Sequence, residues 1–293
     1  MRHALPTLLT TALTTLLFPL FGPPTARAEA PPGDAEPTAD ARPWRLDLHA
    51  ELGSLWVAYH TVKLDRDGTD IDYIDDLGQE NLVPFLRGSV DLYLGQEQRH
   101  IITLLYQPLE IVSARNLARD LVIDDQVFPE GAAVRSTYSF PFARISYLYD
   151  FADGPDELGI GLSVQLRNAT LEFEQLDGPA FRSRRDIGPV PVLKFRWKQG
   201  FANGAFAGFE IDGFYAPIRY LNGGETDVEG AIVDASLRAG LELDQDVSAF
   251  LNLRWLGGGA TGSGDDDDNP GDNYNANWLT FFSLSLGLTY SGL

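Results

Sequence analysis

The sequence contains no cysteine, which excludes a disulfide framework and any thiolate metal site. Lysine is almost missing as well: Lys63, Lys194 and Lys198 stand beside nineteen arginines, which together make the 22 basic residues. Positive charge as a whole is short. With 42 acidic residues the formal charge is −20, and a surface of that sign repels nucleic acid, so that class of partner is excluded. Arginine favoured over lysine suits fixed ion pairs in a confined interior, because the guanidinium is always charged and presents a rigid fork to carboxylates. Also lacking after the first residues is any apolar run of the ~20 residues that a membrane-spanning helix needs. Membrane contact by the rest of the chain therefore has to come through strands.

What is present begins with a basic start (Arg2, His3), an apolar stretch from Leu5 to Phe21 broken by Thr and Pro, and the small-residue site Ala26-Arg27-Ala28. This is the layout of a secretory signal peptide over residues 1–28, cleaved before Glu29. Loss of Arg2 and Arg27 with it takes the formal charge from −20 to −22. Residues 29–43 are rich in Pro, Ala and acid and are expected to form a disordered periplasmic linker. The remainder, 44–293, is long enough to fold without staples.

That remainder alternates apolar and polar residues in ten stretches. From Trp44 to Ala58 the even positions are Trp, Leu, Leu, Ala, Leu, Ser, Trp and Ala, against Arg45, Asp47, His49 and Glu51. Further strands are expected at 82–94, 99–111, 137–151 with a phase change near Phe142, 158–167, 189–197, 205–217, 231–242, 247–255 and 278–290. The connections at 95–98, 153–157, 200–204 and 244–246 are short, and those between are long and acidic. The pattern predicts an all-β chain, an up-and-down antiparallel transmembrane β-barrel of about ten strands with both ends in the periplasm. A soluble calyx is the rival, but Leu-rich faces of six or seven positions carry too much volume for the inside of a small barrel.

The end of the last strand, Ser285-Leu286-Gly287-Leu288-Thr289-Tyr290, resembles the C-terminal signal by which outer-membrane barrels meet their insertion machinery, although the chain continues through Ser291-Gly292-Leu293 where a final aromatic is usual. In layout the chain is similar to the OmpA/OmpX/OmpW class of small Gram-negative outer-membrane barrels. The resemblance implies an outer-membrane location, lipid and lipopolysaccharide as surroundings, and a monomer.

Candidate chemistry lies in the polar face and the loops. Inward charges are expected at Asp47, Glu51, Asp91, Glu210, Asp212, Asp234 and Glu242, and at Arg87, Arg144, Arg167, Lys194, Arg196, Lys198, Arg238 and Arg254. In a confined lumen such charges must be paired or hydrated. They predict either a salt-bridged plug in a structural barrel or a narrow passage for small solutes or ions. In a passage, Lys194, Arg196 and Lys198 opposite Glu210 and Asp212 would set selectivity. Asp65, Asp67, Asp70 and Asp72, with Asp75 and Asp76, offer carboxylates to a hard cation such as calcium, and Asp265 to Asp268 add a second acidic run. The spacing around Gly68 does not match an EF-hand, so weak divalent binding or loop-mediated adhesion is the expectation, and no other cofactor is implied. Catalysis would need His49, close to Ser283 and Ser285 on a closed barrel, or His60 near the acidic loop. The alternative is an outer-membrane enzyme acting at the barrel mouth, a lipid A hydrolase or an omptin-like protease: omptin-type proteases resemble this chain in strand number and acidic mouth, although their catalytic pairs are not carried over to residues here and the histidine and serine motif of a lipid A deacylase is not found.

Overall fold

A computed structural model describes residues 42–293 except 155, 218–227, 264–271 and 293, and without the side chains of 167, 186, 187, 216 and 217. The signal-peptide and linker expectations for 1–41 and the acidic run Asp265 to Asp268 lie outside the described residues. The described chain is built of antiparallel strands: β1 (Trp44–Leu64), β2 (Ile71–Asp72), β3 (Leu82–Leu94), β4 (His100–Gln107), β5 (Glu110–Asn116), β6 (Leu121–Ile123), β7 (Gln126–Phe128), β8 (Ala133–Ser139), β9 (Phe142–Asp150), β10 (Glu157–Gln175), β11 (Phe181–Gly200), β12 (Ala205–Pro217), β13 (Glu229–Glu242), β14 (Val247–Ser263) and β15 (Tyr274–Tyr290).

Ten of them close into a barrel in the order β1-β3-β4-β9-β10-β11-β12-β13-β14-β15, with β15 pairing back onto β1. Tight turns close one rim. Gly95 and Gly204 supply left-handed backbone there at φ 93° and 78°, which a side chain would resist. The opposite rim carries the longer connections.

Register aligns the apolar face into a continuous outward belt. Leu86 sits opposite Leu52, Leu52 opposite Leu286, and Leu286 opposite Leu251, so four strands present one row of exposed leucines. Leu52 is 67% exposed and Leu286 68%, which is stable only where the outside is hydrocarbon. Trp44 and Trp56 bracket the belt on β1, a rise of roughly 28 Å for a strand tilted by ~45°. On the inner side, Gly287 leaves space for the Phe250 ring of the neighbouring strand, which a Cβ at that position would meet at 2.1 Å.

Several strands run well beyond the expected ends, and there the two faces exchange character. Along β10, Leu158 to Leu166 face outward while Ser163 and Gln165 are buried inside; further on, Ala169, Leu171 and Phe173 are buried inside and Glu174 is exposed outside. The cause is the surroundings: above the belt the outside is water, so the apolar face turns in. The connection expected after 167 is mostly strand, with a turn confined to 176–180. Likewise the stretch expected as one strand at 99–111 is interrupted at Pro108-Leu109, and the phase change near Phe142 is a break at Phe140-Pro141. The projecting part encloses an apolar cluster that includes Leu55, Val57, Phe85, Tyr138, Leu171, Phe173, Leu279 and Phe281. Ile71 of β2 and the loop residues Tyr73 and Leu77 fold inward to join it.

Candidate functional site

Below the apolar cluster the lumen is crossed by a belt of buried charge. Period-two alternation on strands of one sheet carries these side chains to the same height and the same side. Lys194 and Arg196 on β11 face Asp212 and Glu210 on β12 in direct register. Lys194 Nζ donates to Asp212 Oδ2 at 2.9 Å and lies 3.0 Å from Glu210 Oε1, while Arg196 Nε donates to Glu210 Oε2 at 2.9 Å.

Other pairs cross the barrel. Arg196 Nη1 reaches Asp91 on β3 at 2.8 Å, and Arg87 on β3 reaches Asp234 on β13 at 3.3 Å. Arg144 on β9 contacts both Asp212 (2.7 Å) and Asp234 (3.2 Å) and donates to Gln165 Oε1 at 2.6 Å. Arg254 Nη1 donates to Asp234 Oδ1 at 2.5 Å. Glu51 on β1 gathers Arg238 at 3.4 Å and Arg254 at 3.6 Å, and accepts hydrogen bonds from Asn252 and Ser285, each at 2.8 Å. Charges removed from water need such multiple partners, since an unpaired one costs several kcal/mol. Asp234 is the junction, with Arg87, Arg144 and Arg254 all converging on its carboxylate.

Of the residues expected in the belt, Arg87, Asp91, Lys194, Arg196, Glu210, Asp212, Asp234, Arg238 and Arg254 are brought together in this way. Lys198 sits nearer the short-turn rim, its Nζ 5.2 Å from the centre of the Phe206 ring. Arg167 lies on β10, but its side chain is outside the described set.

The first long loop distributes its carboxylates rather than converging them. Asp65 is buried, ion-paired to Arg184 at 3.4 Å, and accepts the backbone N–H of Asp272. Asp72 accepts the backbone N–H groups of Ile74 and Asp75, shaping a turn. Asp67 is exposed, and Asp70 is exposed and 3.8 Å from Lys63. Asp76 accepts Arg119 Nη2 at 2.8 Å. Burial alone would push the Asp76 carboxyl up, but the Arg119 guanidinium, the backbone N–H of Asp72 and the nearby Arg115 charge together outweigh it and hold it below the ordinary value. Among the described residues, no three His, Asp or Glu side chains are grouped as a metal site.

Register puts Thr289 opposite His49, with Ser285 opposite Gly53 and Ser283 opposite Leu55, so the expected serines do not meet the histidine. His49 Nδ1 is 2.9 Å from Thr289 Oγ1 and its Nε2 is 3.2 Å from Asp91 Oδ2. Asp91 is already committed to Arg196 and Thr103, which makes His49 the short-turn edge of the belt. His60 is fully buried, stacked on Tyr73 with ring centres 4.0 Å apart and hydrogen-bonded to Gln79 at 2.9 Å. Neither histidine is presented at the long-loop mouth, and His49 lines the opening at the short-turn rim beside Asp244 and Asp246.

No family model matches the sequence, and no curated protein matches it. Several solved structures align with most of the chain. The outer-membrane protease OmpT of Escherichia coli aligns at a TM-score of 0.46 and 11% identity, over 84% of this chain and 96% of that one. The β domain of the Bordetella autotransporter BrkA aligns at 0.34 and 14%, over 84% and 99%, and the outer-membrane protein OprG of Pseudomonas aeruginosa at 0.25 and 10%, over 83% and 95%.

Sequence reasoning missed Thr103 and Gln107, which join the belt from β4, because the phase of 99–111 is ambiguous on alternation alone. It also missed the reversal of faces above the belt. Leu171 and Phe173 alternating with Glu172 and Glu174, on a strand whose earlier leucines fall on even positions, is the signal that could have shown it.

Proposed function

We propose that this protein is a structural barrel of the Gram-negative outer membrane, closed to ion flow at mid-depth, with its longer connections on the cell exterior. The observation that carries this reading is the cross-lumen ion pairing: Arg87 to Asp234, Arg144 to Asp234 and Arg196 to Asp91 each join strands on opposite sides of the barrel, with all the side chains at most 11% exposed. A ten-stranded barrel encloses little more than its own side chains, and here those are bonded to one another across the bore. The outward leucine belt supports placement in lipid, and the acidic long-loop rim supports an exterior bordered by lipopolysaccharide.

On this reading residues 1–28 are removed on export, the insertion machinery takes the β15 end, and the barrel stands as a monomer. Purified protein refolded into a planar bilayer should give no unitary conductance in concentrated KCl. Reproducible single-channel steps from the unaltered chain would overturn the reading and favour a solute passage instead.

A further inference from the structure

The projecting half of the barrel is not filled evenly. Loop residues Tyr73 and Leu77 occupy the side nearest β1, but on the side of β12 to β15 a chamber of about 140 Å³ remains. Small inward residues leave it open: Ala169 on β10, Gly230 on β13 and Ala260 on β14. A Cβ placed on Gly230 would meet nothing closer than 3.5 Å. Gln165, bonded to Arg144, forms the floor and separates the chamber from the charge belt.

The walls are Phe142, Phe214, Ile232, Leu256 and Leu279, and among the described residues no charged side chain lines the space. An ion entering it would lose its hydration without a counter-charge, so the chamber rejects charged ligands. One polar atom is available, because the buried Oδ1 of Asn277 has no hydrogen-bond partner among the described residues. In size the chamber matches the ~150 Å³ apolar cavity, lined by Leu, Ile and Phe, that stays dry and accepts benzene.

We propose that this chamber binds a neutral, single-ring aromatic molecule carrying one hydroxyl group, with the ring among Phe142, Phe214 and Leu279 and the hydroxyl donating to Asn277 Oδ1. This adds a ligand site to the closed barrel and does not depend on whether the belt conducts.

The probe is 4-fluorophenol, followed by ¹⁹F NMR against the refolded full chain in detergent micelles, with empty micelles measured alongside. The expected result is a saturable shift that empty micelles do not give, weakened at least tenfold in Ala169→Leu and in Ala260→Leu, which fill the chamber from different strands. Fluorobenzene should bind about fivefold more weakly than 4-fluorophenol to the unaltered protein, the worth of one hydrogen bond, and that difference should vanish in Asn277→Ala. A shift that rises linearly with probe, or saturable binding that either folded filling variant leaves unchanged, would overturn the proposal. Should both filling variants fail to fold, intermolecular NOEs from the probe ring to the Leu256, Leu279 and Ile232 methyls of the unaltered chain decide it, and their absence counts as refutation.

Discussion

Replacing Asp234 by alanine removes the junction of the belt. Among the described residues of the intact belt, Arg87, Arg144, Lys194, Arg196, Arg238 and Arg254 meet Glu51, Asp91, Glu157, Glu210, Asp212 and Asp234, six cations against six carboxylates. Without Asp234 the balance is six to five, and Arg87, which has no other carboxylate within ion-pair distance among the described residues, keeps only Gln107 as a side-chain partner. Breaking a buried pair from one side costs about 3–5 kcal/mol, because the charge left behind is uncompensated. Asp234→Ala should therefore lower unfolding stability by that amount, measured by tryptophan fluorescence against guanidinium in detergent micelles. Removing the surplus cation as well, in Asp234→Ala with Arg87→Met, should restore a substantial part of it. Exposed Asp67→Ala, in contrast, should stay within about 0.5 kcal/mol. A loss in Asp234→Ala no larger than that of Asp67→Ala, or a double variant as weak as the single one, would refute the view that charge balance holds the belt together.

Three further outcomes follow from the same geometry. Phe173→Ala, in the projecting apolar cluster, should cost about 3–5 kcal/mol, whereas Leu162→Ala on the lipid face should cost clearly less because lipid fills the space; paired unfolding curves check this. Gly161→Ala should sharply lower the yield of heat-modifiable, folded barrel on gels, since a Cβ there would lie 1.9 Å from the Tyr147 carbonyl oxygen of the paired strand, while Gly188→Ala, with nothing within 4 Å, should fold normally. The depressed Asp76 carboxyl makes its tie to Arg119 stabilising above the ordinary aspartate value of 3.8, and that contribution is lost as the pH falls through the lowered value in the folded state. Hydrogen exchange in residues 65–81 should thus be faster in Arg119→Ala than in the unaltered chain at neutral pH, with the difference disappearing in strong acid.

Strand identity was legible wherever lipid lies on one side, because there alternation has one meaning. The leucines of 158–166 and the belt residues Lys194, Arg196, Glu210 and Asp212 follow directly from it. Long-range partners were not legible: nothing in the sequence says that Arg87 crosses to Asp234, since strand order and barrel tilt decide which inward residues share a height. Strand ends were lost for a different reason. Once a strand leaves the lipid its polar residues turn outward, so Glu172 and Glu174 look like loop acids although they belong to β10. The same ambiguity hid the chamber, whose Gly230, Gly258 and Ala260 carry no chemistry a sequence can announce.

The exchange of faces at Leu166 and Asn168 also fixes how deeply the protein sits. Sliding outward by two residues, about 5 Å for a strand rising ~3.4 Å per residue at ~45°, would bring a ring of leucines and tryptophans into water. Sliding inward by as much would press polar outer residues such as Asn168 into hydrocarbon. Because the strands share this boundary, the barrel cannot adjust one strand at a time. A bilayer of the wrong thickness has to thin, thicken or tilt the whole molecule instead. The protein therefore behaves as a rigid gauge of bilayer thickness, drawn to membranes whose apolar layer matches its belt.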